Sequence, residues 1–167
     1  GEIDFLVALQ MPLEEINAIM NERTGMGETG ETYLVGPDHL MRSDSFLDPQ
    51  YHSVSASFAN PNTGDVRTVA AERALAGETD SDVIVDYTGG EVLSAYSPVD
   101  VYDTTWAILA EINEAEVMAP VNRLVWFVVG SALVVIVLAI VAAVLFSRSL
   151  SKPITTLASG ADRLSIG

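Results

Sequence analysis

The spacing of apolar and polar positions divides the chain into three stretches. Between Leu124 and Phe146 it runs LVWFVVGSALVVIVLAIVAAVLF, 23 residues without a charge. As a helix this run is about 34 Å long, enough to cross a hydrocarbon core of about 30 Å. Before it, apolar runs are short and change period. Ile3 to Leu9 (IDFLVAL) reads as a buried strand, and Leu13 to Arg23 as a helix with Leu13, Ile16, Ile19 and Met20 on one face. Thr32 to Val35 and His39 to Arg42 read as strands joined at Gly36-Pro37-Asp38. Ser43 to Gly64 is polar and reads as a long surface connection, and Val66 to Ala76 has helical composition. Asp82 to Tyr87 and Glu91 to Tyr96 flank the hairpin signal Thr88-Gly89-Gly90, and Thr105 to Ile112 is a last strand.

Asn113 followed by Glu116 has the spacing of an N-cap and its N3 carboxylate, so a helix is expected to open here and continue into the apolar run. Pro120 interrupts that stretch and predicts a kink. Beyond the run, Leu150, Ile154, Leu157, Ala161 and Leu164 follow one another at four, three, four and three residues, the seam of a short coiled coil.

Charge sets an orientation. The net charge is −15, and of the acidic residues only Asp162 follows Leu124. Arg148, Lys152 and Arg163 lie after the run, with Arg123 alone just before it. The positive-inside rule places the C-terminal side in the cytoplasm and the acidic module outside. Such a surface repels nucleic acid. There is no cysteine, which removes disulfides and thiolate metal sites. The first twelve residues lack a signal peptide's basic and apolar regions, so an upstream membrane segment is expected.

Residues Gly27 to Phe46, GETGETYLVGPDHLMRSDSF, resemble the membrane-proximal module of Cache-type extracytoplasmic sensor domains of bacterial and archaeal receptors. VRTVAAERALAGETD, EVLSAYSPV and TTWAILAEINEAEVMAPVNRL are similar to later parts of the same module, and SRSLSKPITTLASGADRLSIG to the first helix of a HAMP domain. The resemblance implies an α+β, PAS-like fold: an antiparallel sheet of about five strands with flanking helices. It also implies a domain order: a sensor module over 1–112, a juxtamembrane helix over 113–123, a membrane helix over 124–146 and a partial HAMP helix over 147–167. In double-Cache receptors the ligand pocket usually lies in a distal module, whose amino-acid signature has no counterpart here. A homodimer is implied as well.

The chemistry-bearing motifs are sparse. GMGETG (25–30) matches the dinucleotide fingerprint, but a helix precedes it and a strand follows, the reverse of the order that fingerprint needs. His39 and His52 are the only histidines and lack metal-binding spacing; Asp38, Asp44 and Asp48 lack the calcium-loop pattern. No nucleophile motif accompanies the serines. Arg42 with Tyr33 and Asp44 could face a carboxylate ligand, the alternative being a structural ion pair of Arg42 with Asp44 or Asp86. Trp126, Phe127 and Phe146 are placed as interfacial anchors, and Ala139 with Ala143 as a close-approach pair.

Together these readings predict a receptor fragment in the inner membrane, 1–123 outside and 147–167 in the cytoplasm. It has no catalytic chemistry and no cofactor, and relays a stimulus to a HAMP domain. A methyl-accepting chemotaxis transducer is the leading expectation. A receptor histidine kinase or nucleotide cyclase is the rival, and a membrane-anchored binding protein without cytoplasmic output a third reading.

Overall fold

The computed structural model describes residues 12–164, with side chains to Ser149. The expected strand at Ile3 to Leu9 and the side chains of the seam from Leu150 lie outside the described residues. The elements run α1 (Leu13–Met20), β1 (Glu31–Val35), α2 (Val54–Ala59), α3 (Val69–Leu75), β2 (Asp80–Val85), β3 (Glu91–Val101), β4 (Thr104–Asn113) and α4 (Glu114–Leu164). Among the described residues the sheet has four strands in the order β1-β4-β3-β2, every neighbouring pair antiparallel. The fold is α+β, as expected.

The period-two pattern puts one set of side chains on the inner face: Tyr33 and Val35 of β1, Ala107 and Leu109 of β4, Tyr96 and Val92 of β3, and Ile84 of β2. α3 packs on this face against β3 and β4 through Ala70, Ala71 and Ala74, all fully buried. Small side chains let the helix lie close to the sheet, and Met41 and Val66 join the same core. The helix starts where it does because Thr68 Oγ1 accepts the Ala71 amide proton at 3.2 Å, replacing a bond the first turn lacks.

Several elements differ from the sequence reading. His39 to Arg42 is not a strand. His39 takes a left-handed conformation (φ 61°), and the segment makes a single bridge, Val35 to Met41. The hairpin β2–β3 turns earlier than Thr88: Asp86 accepts from the backbone amides of Thr88 and Gly90, both at 2.9 Å, ending β2 at Val85. β3 instead extends past Tyr96 through Pro98. By then β2 has ended and β3 is an edge strand on that side, where a missing amide proton is tolerated.

The segment Ser43 to Gly64 is a surface connection only in part, with exposed stretches such as Phe58 to Thr63 and buried anchor points between them. Ser43, Ser45 and Ser57 are buried with side chains that serve otherwise unpaired backbone amides, and His52 is buried with its ring nitrogen on the Asp48 carboxylate. Ser43 Oγ accepts from Leu34 N, and Ser57 Oγ from Met41 N. Asp44 ties two helices together: its Oδ2 accepts from Asn17 of α1 and its Oδ1 from the Val54 amide that opens α2.

The last helix opens at Asn113, whose Oδ1 accepts from Ala115 N at 2.9 Å. Helical geometry is assigned without a break from Glu114 to Leu164, through Pro120. Compactness divides the chain at this helix into one unit ending at Ala119 and another beginning at Pro120. The second unit is helical, and the stretch Glu114–Ser149 is long and apolar enough to cross a membrane.

Candidate functional site

Three polar residues sit side by side across the inner face of the sheet. Glu31 of β1 is in register with Glu111 of β4, and Glu111 with Ser94 of β3. Both glutamates are deeply buried, at 2% and 3% exposure. Carboxylates directly opposite on adjacent strands repel each other, so their partners decide whether the pair can be tolerated.

Those partners are unequal. Glu31 Oε2 accepts from Ser45 Oγ at 2.8 Å and from the amides of Phe46 and Leu47 at 3.0 and 3.2 Å. Its Oε1 accepts from the Tyr87 hydroxyl. Both oxygens of Glu31 are satisfied. Glu111 Oε2 accepts from the Tyr33 hydroxyl at 2.8 Å, but its Oε1 has no partner among the described residues, and neither has Ser94 Oγ.

The titration behaviour follows from this asymmetry. Burial raises the Glu111 carboxyl from 4.5 to about 7; the Tyr33 hydrogen bond and the neighbouring Ser94 hydroxyl, which lies near the carboxyl without completing a hydrogen bond, oppose the shift, and Asp86 and Glu31 add to it. Burial and the charge on Glu111 hold the Tyr33 hydroxyl well above its ordinary range. Burial and Glu31 do the same for Tyr87. Of the two carboxyls in register, it is the less well-partnered one, Glu111, whose protonation is favoured by its surroundings. His52 closes the cluster, its Nδ1 at 2.8 Å from Asp48 and its ring 4.2 Å from that of Tyr87.

A small cavity of about 80 Å³ opens against Glu31 and Glu111, bounded also by Thr29, Asp86, Val92 and Asn113. Thr29 and Asn113 lead from it to the head of α4. Thr29 Oγ1 accepts from Asn113 N at 3.1 Å and donates to Glu116. Glu116 also accepts from the amides of Glu28 and Thr29, at 2.8 and 2.9 Å. The expected capping pair is therefore half formed: Asn113 caps the helix, while Glu116 is turned to the loop at 27–29. The glycine-rich turn does cradle an anion, and the anion is this chain's own carboxylate. Gly25 and Gly27 have positive φ, and a Cβ at Gly27 would collide with Glu116. Arg23 holds the loop from the other side, donating to the carbonyls of Glu28 at 2.6 Å and Gly30 at 2.8 Å.

The three residues singled out in the sequence go to three places. Tyr33 enters the buried cluster. Arg42 pairs with Asp38, at 2.8 Å to each oxygen, rather than with Asp44 or Asp86, and its guanidinium lies over the rings of Phe58 and Trp106. Asp44 holds α1 and α2, as described. The structure brings Glu31, Glu111, Tyr87 and Ser45 to Tyr33 instead. The signal for the glutamates was present: Glu31 and Glu111 fall on the same period-two face as Tyr33 and Leu109, at positions a core would reserve for apolar side chains. Among the described residues no group of three histidine or acidic side chains is placed to hold a metal ion.

No protein-family model matches the chain. Of curated proteins, it is 30% identical over 159 residues to the Probable chemoreceptor y4sI of Sinorhizobium fredii (strain NBRC 101917 / NGR234), a match covering 95% of this chain. The chain spans 19% of that relative's length. Of solved structures, the periplasmic sensory domain of the Campylobacter jejuni chemoreceptor Tlp1 aligns with a TM-score of 0.47 and 17% identity, over 65% of this chain and 37% of that one. Over nearly its whole length, then, this α+β module and its long apolar helix are similar to one stretch of a much longer probable chemoreceptor.

Proposed function

We propose that this chain is the sensory and membrane-crossing part of a chemotaxis receptor. The observation that carries the reading is α4, which opens on a helix head anchored to the module by Asn113, Thr29 and Glu116 and continues without a break through the apolar run. A rearrangement near Glu111 reaches the first turn of this helix through Thr29 and Asn113, and a stiff helix carries a displacement that a flexible linker would lose. In this reading residues 1–112 form a Cache-like sensor module, 113–123 a juxtamembrane helix, 124–146 the membrane span and 147–167 the start of a HAMP helix. The module lies outside the inner membrane, and the working unit is a homodimer without catalytic activity of its own. The likeness to a chemoreceptor favours chemotaxis over kinase or cyclase output.

The test places single cysteines from Ala132 to Phe146 in the full chain, in native membranes. Oxidative crosslinking between copies is expected to recur every three to four residues and to include Ala139 and Ala143. Glu116→Ala, which frees the helix head, is expected to change the rates at those positions. A pattern without helical period, or rates indifferent to Glu116→Ala, would overturn the relay.

A further inference from the structure

We propose that Glu111 makes this module a sensor of pH: ionisation of its carboxyl loosens the joint that holds the head of α4. The inference names a stimulus for the sensory reading above and rests on that reading for its signalling consequence, not for the coupling itself. Geometry sets the two glutamates apart. Glu31 meets four donors, so its negative charge is shared among Ser45, Tyr87 and two backbone amides. Glu111 meets one, the Tyr33 hydroxyl, and its other oxygen is buried and unpaired among the described residues. Opposite it in register stands Ser94, whose hydroxyl is unpaired as well. A proton, unlike any larger ligand, needs no room there. Placed on Oε1, it removes the charge that faces Glu31 and gives Glu111 an O–H to offer the Ser94 hydroxyl.

The surroundings leave the charge uncompensated. Glu31 and Tyr33 face Glu111 from β1, and Asp86 of the β2–β3 turn adds a second like charge, while Tyr87 lies edge-on against Tyr33. From the long connection, His52 is bonded to Asp48 and meets Tyr87. α3, packed on the same face, sends Arg73 to Tyr96 and Asp82 and leaves Glu72 exposed. At the head of α4, Glu116 is bonded to the amides of Glu28 and Thr29, and Arg23 donates to carbonyls of that loop. Among the described residues no ion pair reaches Glu111. Burial therefore carries its titration to about 7, with Asp86 and Glu31 adding to the effect. Below that pH the carboxyl is neutral. Above it, two buried like charges stand opposite each other on adjacent strands, which favours separation of β1 from β4. The next link on that face is the joint itself. Thr29 lies two residues before Glu31 and Asn113 two after Glu111, and the bond between them is the last before α4 begins.

Hydrogen exchange of the full chain in lipid nanodiscs, stepped from about pH 5.5 to about pH 8.5 with each rate divided by the intrinsic rate at that pH, tests this. Protection at the amides of Glu28, Thr29 and Asn113 is expected to fall at least about tenfold across the range, with a midpoint near about 7. Amides at a joint exchange through local opening, so a loss confined to global stability would leave them unmoved. Glu116 does not titrate in this window, because its hydrogen bond from Thr29 holds it below the ordinary carboxylate range. Glu111→Gln, neutral at every pH, is expected to keep the protection constant. Glu31→Gln removes the opposing charge and is expected to move the midpoint to higher ionisation at a given pH, that is, to lower pH. That shift keeps the test decisive should Glu111→Gln misfold by circular dichroism. Protection independent of pH in the unaltered chain would overturn the proposal, as would an unmoved midpoint in Glu31→Gln. The same fall in folded Glu111→Gln would overturn it too and leave His52 as the titrating group. None of these results touches the crosslinking response to Glu116→Ala, so failure of the proton site and failure of the relay are read separately.

Discussion

Glu31 and Glu111 occupy equivalent positions on neighbouring strands, yet they should answer substitution differently. Glu31→Ala strands four donors, those of Ser45, Phe46, Leu47 and Tyr87, and is expected to destabilise the chain by about 3–5 kcal/mol. Glu31→Gln keeps a carbonyl oxygen for the donors around Oε2 and turns an amide to the Tyr87 hydroxyl, which can accept. A loss below about 1.5 kcal/mol is expected in denaturant unfolding monitored by tyrosine and tryptophan fluorescence. Glu111 gives a pH dependence of the opposite hand to an ordinary carboxylate. Its folded value, about 7, lies above the unfolded 4.5, so the folded state holds the extra proton between them. Stability from this group is therefore full below about pH 4.5 and is lost as pH rises through about 7, by at most about 3 kcal/mol. Glu111→Gln should flatten that slope and raise the melting temperature above pH 7 by several degrees, on the order of 4 °C. An unchanged pH profile of melting would place the proton elsewhere.

At the level of elements, helices and strands were legible where period and punctuation agreed, as in α1, α3, β1 and β4. They were not legible where tertiary partners overrode local pattern. The stretch Ser43 to Gly64 reads as solvated because its residues are polar, and much of it is, yet Ser43 and Ser57 are buried against backbone amides of β1 and the segment that follows it, pairings that sequence spacing does not encode. β3 continues through Pro98 only because its neighbour has ended. The buried cluster was legible in part: period two puts Glu31 and Glu111 on the face of Tyr33 and Leu109, but which donors meet them is set only once the partner strand and the loop at 45–47 are placed. The head of α4 was half legible. Asn113 caps as its spacing predicts, but Glu116 prefers the amides of Glu28 and Thr29, 88 and 87 residues away in sequence. Glu116→Ala and Thr29→Val should both loosen this joint. Hydrogen exchange at the amides of Glu28, Thr29 and Asn113 is expected to accelerate by about tenfold or more, while Ala107 and Leu109 in the core keep their protection. Gly27→Ala should mimic them. The alanine is strained at φ 73° and its Cβ displaces Glu116. Exchange at Glu28 and Thr29 indifferent to all three changes would mean that Glu116 does not hold the loop.

For the molecule as a whole, charge and hydropathy divide the chain at the same place. Ahead of Leu124 lies nearly all of the negative charge, which has a steep cost at a membrane's anionic inner face; behind Phe146 lie Arg148, Lys152 and Arg163. Retention of basic residues on the cytoplasmic side decides orientation through the residues nearest the span, and here Arg123 opposes the three that follow it. The bias is therefore small enough to be reversed by a few substitutions, which makes it testable. In intact cells a membrane-impermeant maleimide should label Ser81→Cys, an exposed position on β2, and should label Ser149→Cys only after permeabilisation. The chain has no cysteine of its own to confuse the result. Replacing Arg148, Lys152 and Arg163 with glutamine, and Val121 and Val125 with lysine, should produce a population with the reverse labelling. If Ser149→Cys in the unaltered chain were labelled from outside, the acidic module would lie in the cytoplasm.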